Sequence, residues 1–155
     1  QQQHPPAASA ELLYLTSWNM GNAPPPPHAE FGDWLRKGGA LSSVFPSLYV
    51  VALQESEFTA SPGFASAEDE LVNKIGLAMG ERYVRLAVFS LQAIRLVLFV
   101  RREQFHLVSQ LRKTKQPTGI AGVYGNKGAV AVALRFRDTE LCFVGAHFAA
   151  REERV

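Results

Sequence analysis

Polar residues of catalytic type end three apolar runs of this sequence, at Asn19, Glu55 and His147. Strands that end at a common edge of a sheet bring such side chains into one crevice, so we expect the three to lie together. A carboxylate at the mouth of a buried strand is costly unless it is paired or binds a cation. Glu55 is therefore a candidate ligand for Mg²⁺, and Asn19 could assist the same ion or orient a phosphate. The alternatives are a solvated residue for Glu55 and a turn residue for Asn19.

A glycine-rich turn, Gly122–Gly128, contains Asn126 and Lys127. Glycines permit a tight turn that brings backbone N–H groups and one ammonium group close to an anion. The turn is not a Walker phosphate loop, because Ala129 stands where that motif has Ser or Thr. Lys127 favours phosphate binding over an ordinary turn between strands. His147 could donate a proton or a hydrogen bond to a phosphoryl oxygen, although a lone histidine beside an apolar strand is more often structural.

The charge pattern indicates an anionic ligand rather than nucleic acid. The formal net charge of the 155 residues is only +2, which is too small to predict nucleic-acid binding. Residues 101–127 contain a single acid, Glu103, and such a local basic surface attracts anions. The basic residues of this segment, apart from His106, are Arg101, Arg102, Arg112, Lys113, Lys115 and Lys127.

The remaining composition indicates a folded chain in a reducing compartment. Cys142 is the single cysteine, which excludes an internal disulfide and favours a cytoplasmic location. It stands in an apolar run and is predicted to be a small core residue. No apolar stretch approaches the roughly 20 residues of a membrane span. Residues 1–10, rich in Gln, Pro and Ala, are predicted to be a flexible linker.

Hydrophobic periodicity predicts that strands dominate, with two helices. The helices are predicted over Phe31–Leu41, stopped by Gly38 and Gly39, and over Asp69–Met79, capped by Gly80. This pattern predicts an α+β protein or a layered α/β sandwich. Strands are predicted over Leu12–Met20, Leu48–Leu53, Tyr83–Leu91, Ala93–Arg101, Phe105–Lys115, Ala129–Phe136 and Glu140–Ala146.

The candidate residues lie in segments that resemble, in order, the motifs of the inositol polyphosphate 5-phosphatases of the endonuclease/exonuclease/phosphatase superfamily. The most specific match is Thr118–Ile120 followed by Gly125–Val130. The prolines Pro24–Pro27 resemble the subgroup whose phosphatase domain is joined to an SH2 domain. The other matching segments are Thr16–Asn22, Ala52–Glu55 and Phe143–Phe148.

The resemblance implies part of a four-layer α/β sandwich of the DNase I type, with mostly antiparallel or mixed sheets. It implies Mg²⁺-dependent hydrolysis of the 5-phosphate of inositol lipids or soluble inositol phosphates. On this reading Glu55 holds the ion, Asn19 supports the metal and phosphate site, and His147 contacts the scissile phosphate. Asn126 and Lys127 contact the substrate's phosphates, and peripheral contact with a membrane is expected.

Two departures from the family pattern bear on activity. Gly145 and Ala146 replace the usual Asn and Ser before the histidine. The family's later Gly-Asp-x-Asn and Asp-His motifs are not found, so residues 11–155 are interpreted as the amino-terminal half of the domain and are expected to be inactive alone. A nuclease of the same superfamily and a non-catalytic module that binds phosphoinositides remain alternative functions.

Overall fold

The computed structural model describes residues 10–37, 45–118 and 127–148. Within these ranges it contains seven strands, two α-helices and one 3₁₀ helix. The α-helices are α1 (His28–Lys37) and α2 (Ala67–Met79), and the 3₁₀ helix covers Arg102–Leu107. The strands are β1 (Leu13–Asn19), β2 (Leu48–Gln54), β3 (Tyr83–Leu91), β4 (Ile94–Arg101), β5 (Val108–Pro117), β6 (Gly128–Phe136) and β7 (Thr139–His147).

The strands form two sheets. The first has the order β1-β2-β4-β3, with β1 parallel to β2 and the other pairs antiparallel. The second has the order β5-β6-β7 and is antiparallel throughout. The carboxyl ends of β1, β2 and β7 carry Asn19, Gln54 and His147. The pairing of His147 with Gly128 places the start of β6 at the same end as the finish of β7.

Two hydrophobic cores hold these layers together, one on each face of the first sheet. Successive residues of a strand point to opposite faces, and β2 is buried on both. Val50 packs in the core between the sheets, together with Val132 of the second sheet. Val51 packs in the core beneath the helices, together with Phe31 of α1 and Ile75 of α2. The described residues thus form three layers, in the order helices, first sheet, second sheet.

The predicted fold class is confirmed, and most predicted elements are present. Helix α1 begins three residues earlier than predicted, and its predicted end lies outside the described residues. Ser66 caps the start of α2, where its Oγ accepts a hydrogen bond from the Asp69 N–H at 3.1 Å. Gly80 caps its end as predicted, at φ +67°, and its N–H donates to the Gly76 carbonyl at 3.0 Å.

Three sequence predictions were wrong in detail. Phe105 lies in the 3₁₀ helix, so β5 begins only at Val108. β5 extends two residues beyond its predicted end at Lys115, to Pro117, which pairs with Gly128; an edge position tolerates a residue without an N–H group. Cys142 is exposed rather than buried, because it lies on the outward face of β7.

No helix among the described residues is both long and apolar enough to cross a bilayer. Nine of the ten residues of the predicted linker lie outside the described ranges, so the linker stays a prediction.

Candidate active site

Four polar side chains meet at the common strand ends. Asn19 is the last residue of β1, Glu55 follows β2, Lys127 precedes β6 and His147 is the last residue of β7. The predicted convergence of Asn19, Glu55 and His147 is therefore present in the structure. Asn126, the other predicted substrate ligand, lies outside the described residues.

The chain after β1 is hydrogen-bonded to the chain after β2, and these bonds fix the positions of Asn19 and Glu55. The Met20 N–H donates to the Gln54 carbonyl at 2.9 Å, and the Asn22 N–H donates to the Glu55 carbonyl at 2.7 Å. Glu55 has a φ of +47° and Asn22 a φ of +57°, in the left-handed region. A non-glycine residue in that conformation costs about 1–3 kcal/mol, and such strain clusters at functional sites.

The carboxylate of Glu55 is oriented by the amide of Asn19. The Asn19 Nδ2 donates to Glu55 Oε1 at 3.1 Å, and the Asn19 Oδ1 accepts the Gly21 N–H at 3.0 Å. Asn19 therefore presents its amide hydrogens to the carboxylate, while its oxygen closes the turn. This arrangement supports Asn19 as the residue that orients Glu55, whereas its predicted role as a direct metal ligand stays a prediction.

His147 lies between Glu55 and Lys127. Its Nε2 is 3.4 Å from Glu55 Oε1 and 2.7 Å from Lys127 Nζ. His147 Nδ1 is also 3.3 Å from Lys127 Nζ. An ammonium group can only donate, so the ring nitrogen that bonds to Lys127 is the acceptor. The His147 side chain is 15 % exposed and that of Glu55 is 34 % exposed, so the cluster is partly screened from water but open to a ligand.

Gly128 brings Lys127 to this cluster by allowing β5 and β6 to approach closely. Gly128 has a φ of +149°, and a Cβ at this position would lie 2.5 Å from the Gln116 carbonyl oxygen and 2.8 Å from Leu91 Cδ2. The Thr118 N–H also donates to the Lys127 carbonyl at 3.1 Å. Only glycine fits such a contact, so the turn's final glycine is required by packing as well as by conformation.

A buried arginine, which the sequence reasoning did not identify, anchors the segment after Glu55. Arg95 of β4 is 4 % exposed. Its guanidinium donates to the carbonyl and Oγ of Ser56, and it pairs with Glu57 at 2.8 Å. The sequence does contain a signal for this residue, because Arg95 is a charged residue inside the apolar run of β4. A charge that is buried in such a run requires polar partners.

A cavity of about 690 Å³ opens beside this segment. Glu55 contributes to its wall, so the cavity adjoins the candidate site. The residues lining it are Asn22, Glu55, Glu57, Gln92 and Ala93.

The available protein ligands suit a hard cation that keeps most of its bound water, rather than a cation that is coordinated mainly by protein side chains. Among the described residues no group of three or more His, Cys, Asp or Glu side chains is placed to hold a metal ion. Glu55 supplies one carboxylate, next to the amide of Asn19. Mg²⁺ commonly keeps several waters and uses only one or two protein carboxylates, so these residues are compatible with Mg²⁺.

Two stacked sheets with a carboxylate, an amide, an imidazole and an ammonium at their common strand ends define an α/β sandwich with a polar site at its rim. The sequence profile of Endonuclease/Exonuclease/phosphatase family 2 matches residues 16–155. The chain belongs to this family, in agreement with the resemblance drawn from its motifs.

Curated relatives narrow the resemblance to phosphoinositide phosphatases. Phosphatidylinositol 3,4,5-trisphosphate 5-phosphatase 2 of Mus musculus is 30 % identical over 150 residues, which cover 92 % of this chain and 12 % of that protein. Phosphatidylinositol 3,4,5-trisphosphate 5-phosphatase 1 of Homo sapiens is 28 % identical over 149 residues, with the same coverage. The chain thus spans about one eighth of the length of these relatives.

Solved structures show the fold. The inositol polyphosphate 5-phosphatase domain of SPsynaptojanin, in complex with inositol (1,4)-bisphosphate and a calcium ion, matches with a TM-score of 0.73 at 24 % identity. That match covers 92 % of this chain and 41 % of the other. A Cimex nitrophorin ferrous NO complex matches with a TM-score of 0.63 at 13 % identity, covering 88 % of this chain and 46 % of the other. One fold therefore serves different functions, and the function must be argued from the site.

Proposed function

We propose that this chain supplies part of the active site of a Mg²⁺-dependent phosphatase that hydrolyses the 5-phosphate of phosphoinositides or inositol polyphosphates. The observation that carries the proposal is the convergence of Asn19, Glu55, Lys127 and His147 at one end of the two sheets. The names of the curated relatives and the ligand of the synaptojanin domain support the substrate class.

The charges of the site support the proposal of a divalent cation. A phosphate monoester carries up to two negative charges, and it would be attracted by Lys127 but repelled by Glu55. Mg²⁺, when bound through Glu55, would neutralise the carboxylate and the developing charge on the phosphoryl oxygens. Asn19 keeps the Glu55 carboxylate oriented towards this space. Glu55 and Asn19 are thus the proposed metal site.

His147 and Lys127 are the proposed phosphate contacts in the described residues, and Asn126 is proposed as a further contact. In the reaction, the oxygen of a water molecule bonds to phosphorus as the bond from phosphorus to the inositol oxygen breaks, and one proton of that water ends on the inositol oxygen. His147 can donate from its protonated nitrogen to a phosphoryl oxygen, and Lys127 offsets the charge on that group. Lys127 would then exchange its hydrogen bond with His147 for the phosphate.

The proposal includes the cellular setting. We place the reaction in the cytoplasm, with peripheral association with membranes, because the relatives are named for a membrane lipid and the chain has one cysteine. Nucleic acid is not proposed as a substrate. Residues 1–155 alone are proposed to hydrolyse little, since they align with 41 % of the synaptojanin domain.

Phosphate release from a 5-phosphorylated inositol lipid, with and without Mg²⁺, tests the proposal. The protein that contains the complete domain is expected to release phosphate only with Mg²⁺. Glu55→Gln is expected to lower kcat by about 10²–10³-fold, which is the usual effect of removing one group that stabilises charge in a transition state. Glu81→Gln, an exposed carboxylate at the opposite end of β3, is the matched control and should keep full activity.

Other outcomes would change the proposed function. Cleavage of DNA with no release from inositol lipids would indicate a nuclease. Binding of the lipid headgroup with no hydrolysis by the complete domain would indicate a binding module. Robust turnover by residues 1–155 alone would refute the proposal that the isolated chain is inactive.

A further inference from the structure

Strand β5 presents an exposed basic edge. Its sequence contains Arg112, Lys113 and Lys115 and no acid. Every residue between its two ends is exposed, and β5 lies at the margin of its sheet. We call these three residues the basic edge. None of them takes part in an ion pair within the described residues, so their charge is available to an external anion.

The two lysines of the basic edge are held on one side of the sandwich. Lys113 Nζ lies 5.8 Å and Lys115 Nζ 6.0 Å from the centre of the Phe89 ring on β3. Lys113 Nζ also donates to the Val88 carbonyl at 3.3 Å. Their aliphatic stems therefore cover apolar surface while the charges remain in solvent. Leu111, which is 40 % exposed, adds an apolar group to the same strand.

The basic edge lies beside the candidate active site. Pro117 at the end of β5 pairs with Gly128, which pairs with His147. Lys115 is two residues before Pro117, about 7 Å along the strand, and β5 is two strands from β7, about 10 Å across the sheet. A surface that attracted the basic edge would therefore also lie close to His147.

We propose that the basic edge docks on an anionic lipid bilayer and thereby holds the candidate active site against the membrane. Charge complementarity selects this partner, because cytoplasmic leaflets are anionic and basic residues near their surface bind them. The inference rests on the proposed function in one respect, namely that docking brings the candidate active site to a lipid substrate. Lipid binding itself requires no phosphoinositide. Lysines on an edge strand also discourage pairing with another chain, and the test separates the two roles.

Sedimentation with vesicles of phosphatidylcholine plus phosphatidylserine, without phosphoinositide, measures this docking. The full chain is expected to partition onto these vesicles and not onto pure phosphatidylcholine. The double variant Lys113→Gln/Lys115→Gln is expected to lose about 25-fold in partition coefficient, at about fivefold for each basic residue removed. High salt should abolish the difference through screening. The matched control, Arg82→Gln/Arg102→Gln, removes two exposed charges at the opposite end of the sheets and should partition unchanged.

Specific results would overturn the inference. These are equal partitioning of the unmodified chain and the lysine variant, an equal loss in the arginine control, or binding to duplex DNA but not to vesicles. Self-association of the lysine variant with unchanged vesicle binding would also overturn it, and would leave edge protection as the lysines' role.

The test also separates this inference from the proposed function. If the lysine variant and the unmodified chain partition equally while the complete domain has phosphatase activity, the docking surface alone is refuted. Intact partitioning without phosphatase activity in the complete domain would refute the proposed function alone.

Discussion

Replacement of Gly128 by alanine should destabilise the chain through the contact that positions Lys127. An alanine Cβ at this position would lie 2.5 Å from the Gln116 carbonyl oxygen, 2.8 Å from Leu91 Cδ2 and 3.0 Å from Pro117 Cα. Two of these three atoms belong to the backbone of β5, so rotation of a side chain cannot remove the clash. The strands must separate at the end where the candidate site lies.

The expected cost has two parts. The φ of +149° is unfavourable for any residue with a Cβ, at about 1–3 kcal/mol. Insertion of an atom into a closely packed contact costs about 1–3 kcal/mol more. Together these predict that Gly128→Ala lowers the free energy of unfolding by about 2–6 kcal/mol, against a typical total of about 5–15 kcal/mol for a native protein.

Urea unfolding followed by tryptophan fluorescence measures this change, because Trp18 and Trp34 pack against each other at 5.4 Å beside the helical core. Gly145→Ala on the neighbouring strand is the matched control. Its Cβ would meet only ordinary contacts at 3.5 Å or more, so its free energy of unfolding should stay within about 1 kcal/mol of the unmodified chain. Equal unfolding midpoints for the two variants would refute the proposed close approach at Gly128.

Two further predictions concern buried charges. Arg95→Met should lower the free energy of unfolding by about 1–3 kcal/mol, because Ser56 loses its buried donors while solvent still reaches Glu57; an unchanged urea midpoint would contradict this. The hydrogen bond from Lys74, together with bonds from a neighbouring serine, holds the pKa of the buried Glu70 below its ordinary value. The stability that Glu70 contributes is therefore present above pH of about 4.3, the ordinary value, and is lost as the pH falls through the lowered pKa. Glu70→Gln should reduce the decrease in the free energy of unfolding at acid pH, which urea unfolding at a series of pH values measures. An unaltered dependence on pH would show that the Glu70 carboxylate does not contribute.

The sequence was sufficient to predict, to within one residue, where β1, β2 and β7 end, and which side chains meet there. Apolar runs that finish in Asn19, Glu55 and His147 predicted the convergence, because strand ends at one sheet edge are neighbours whatever the loops do. The contact between Lys127 and His147 could not be predicted in the same way. It depends on the register of β6 against β7, which a glycine turn alone does not specify.

Buried polar partners were also beyond the sequence. The partners of Arg95 lie 38 and 39 residues away in the chain, and local periodicity contains no information about them. Cys142 was misassigned because a short apolar run does not reveal which face of its strand is covered. The alternation along β7 places Cys142 on the outward face, opposite to Phe143 in the core.

We propose that Glu55, oriented by Asn19, holds a divalent cation at the strand ends. Paramagnetic broadening by Mn²⁺, used in place of Mg²⁺, tests this most directly in the ¹⁵N NMR spectrum of the full chain. With the cation at Glu55, the amide signals of Asn19, Glu55 and His147 are expected to broaden first, Glu55→Gln should remove the effect, and Glu81→Gln should retain it. Broadening that is centred elsewhere, or that persists unchanged in Glu55→Gln, would contradict a cation site at Glu55.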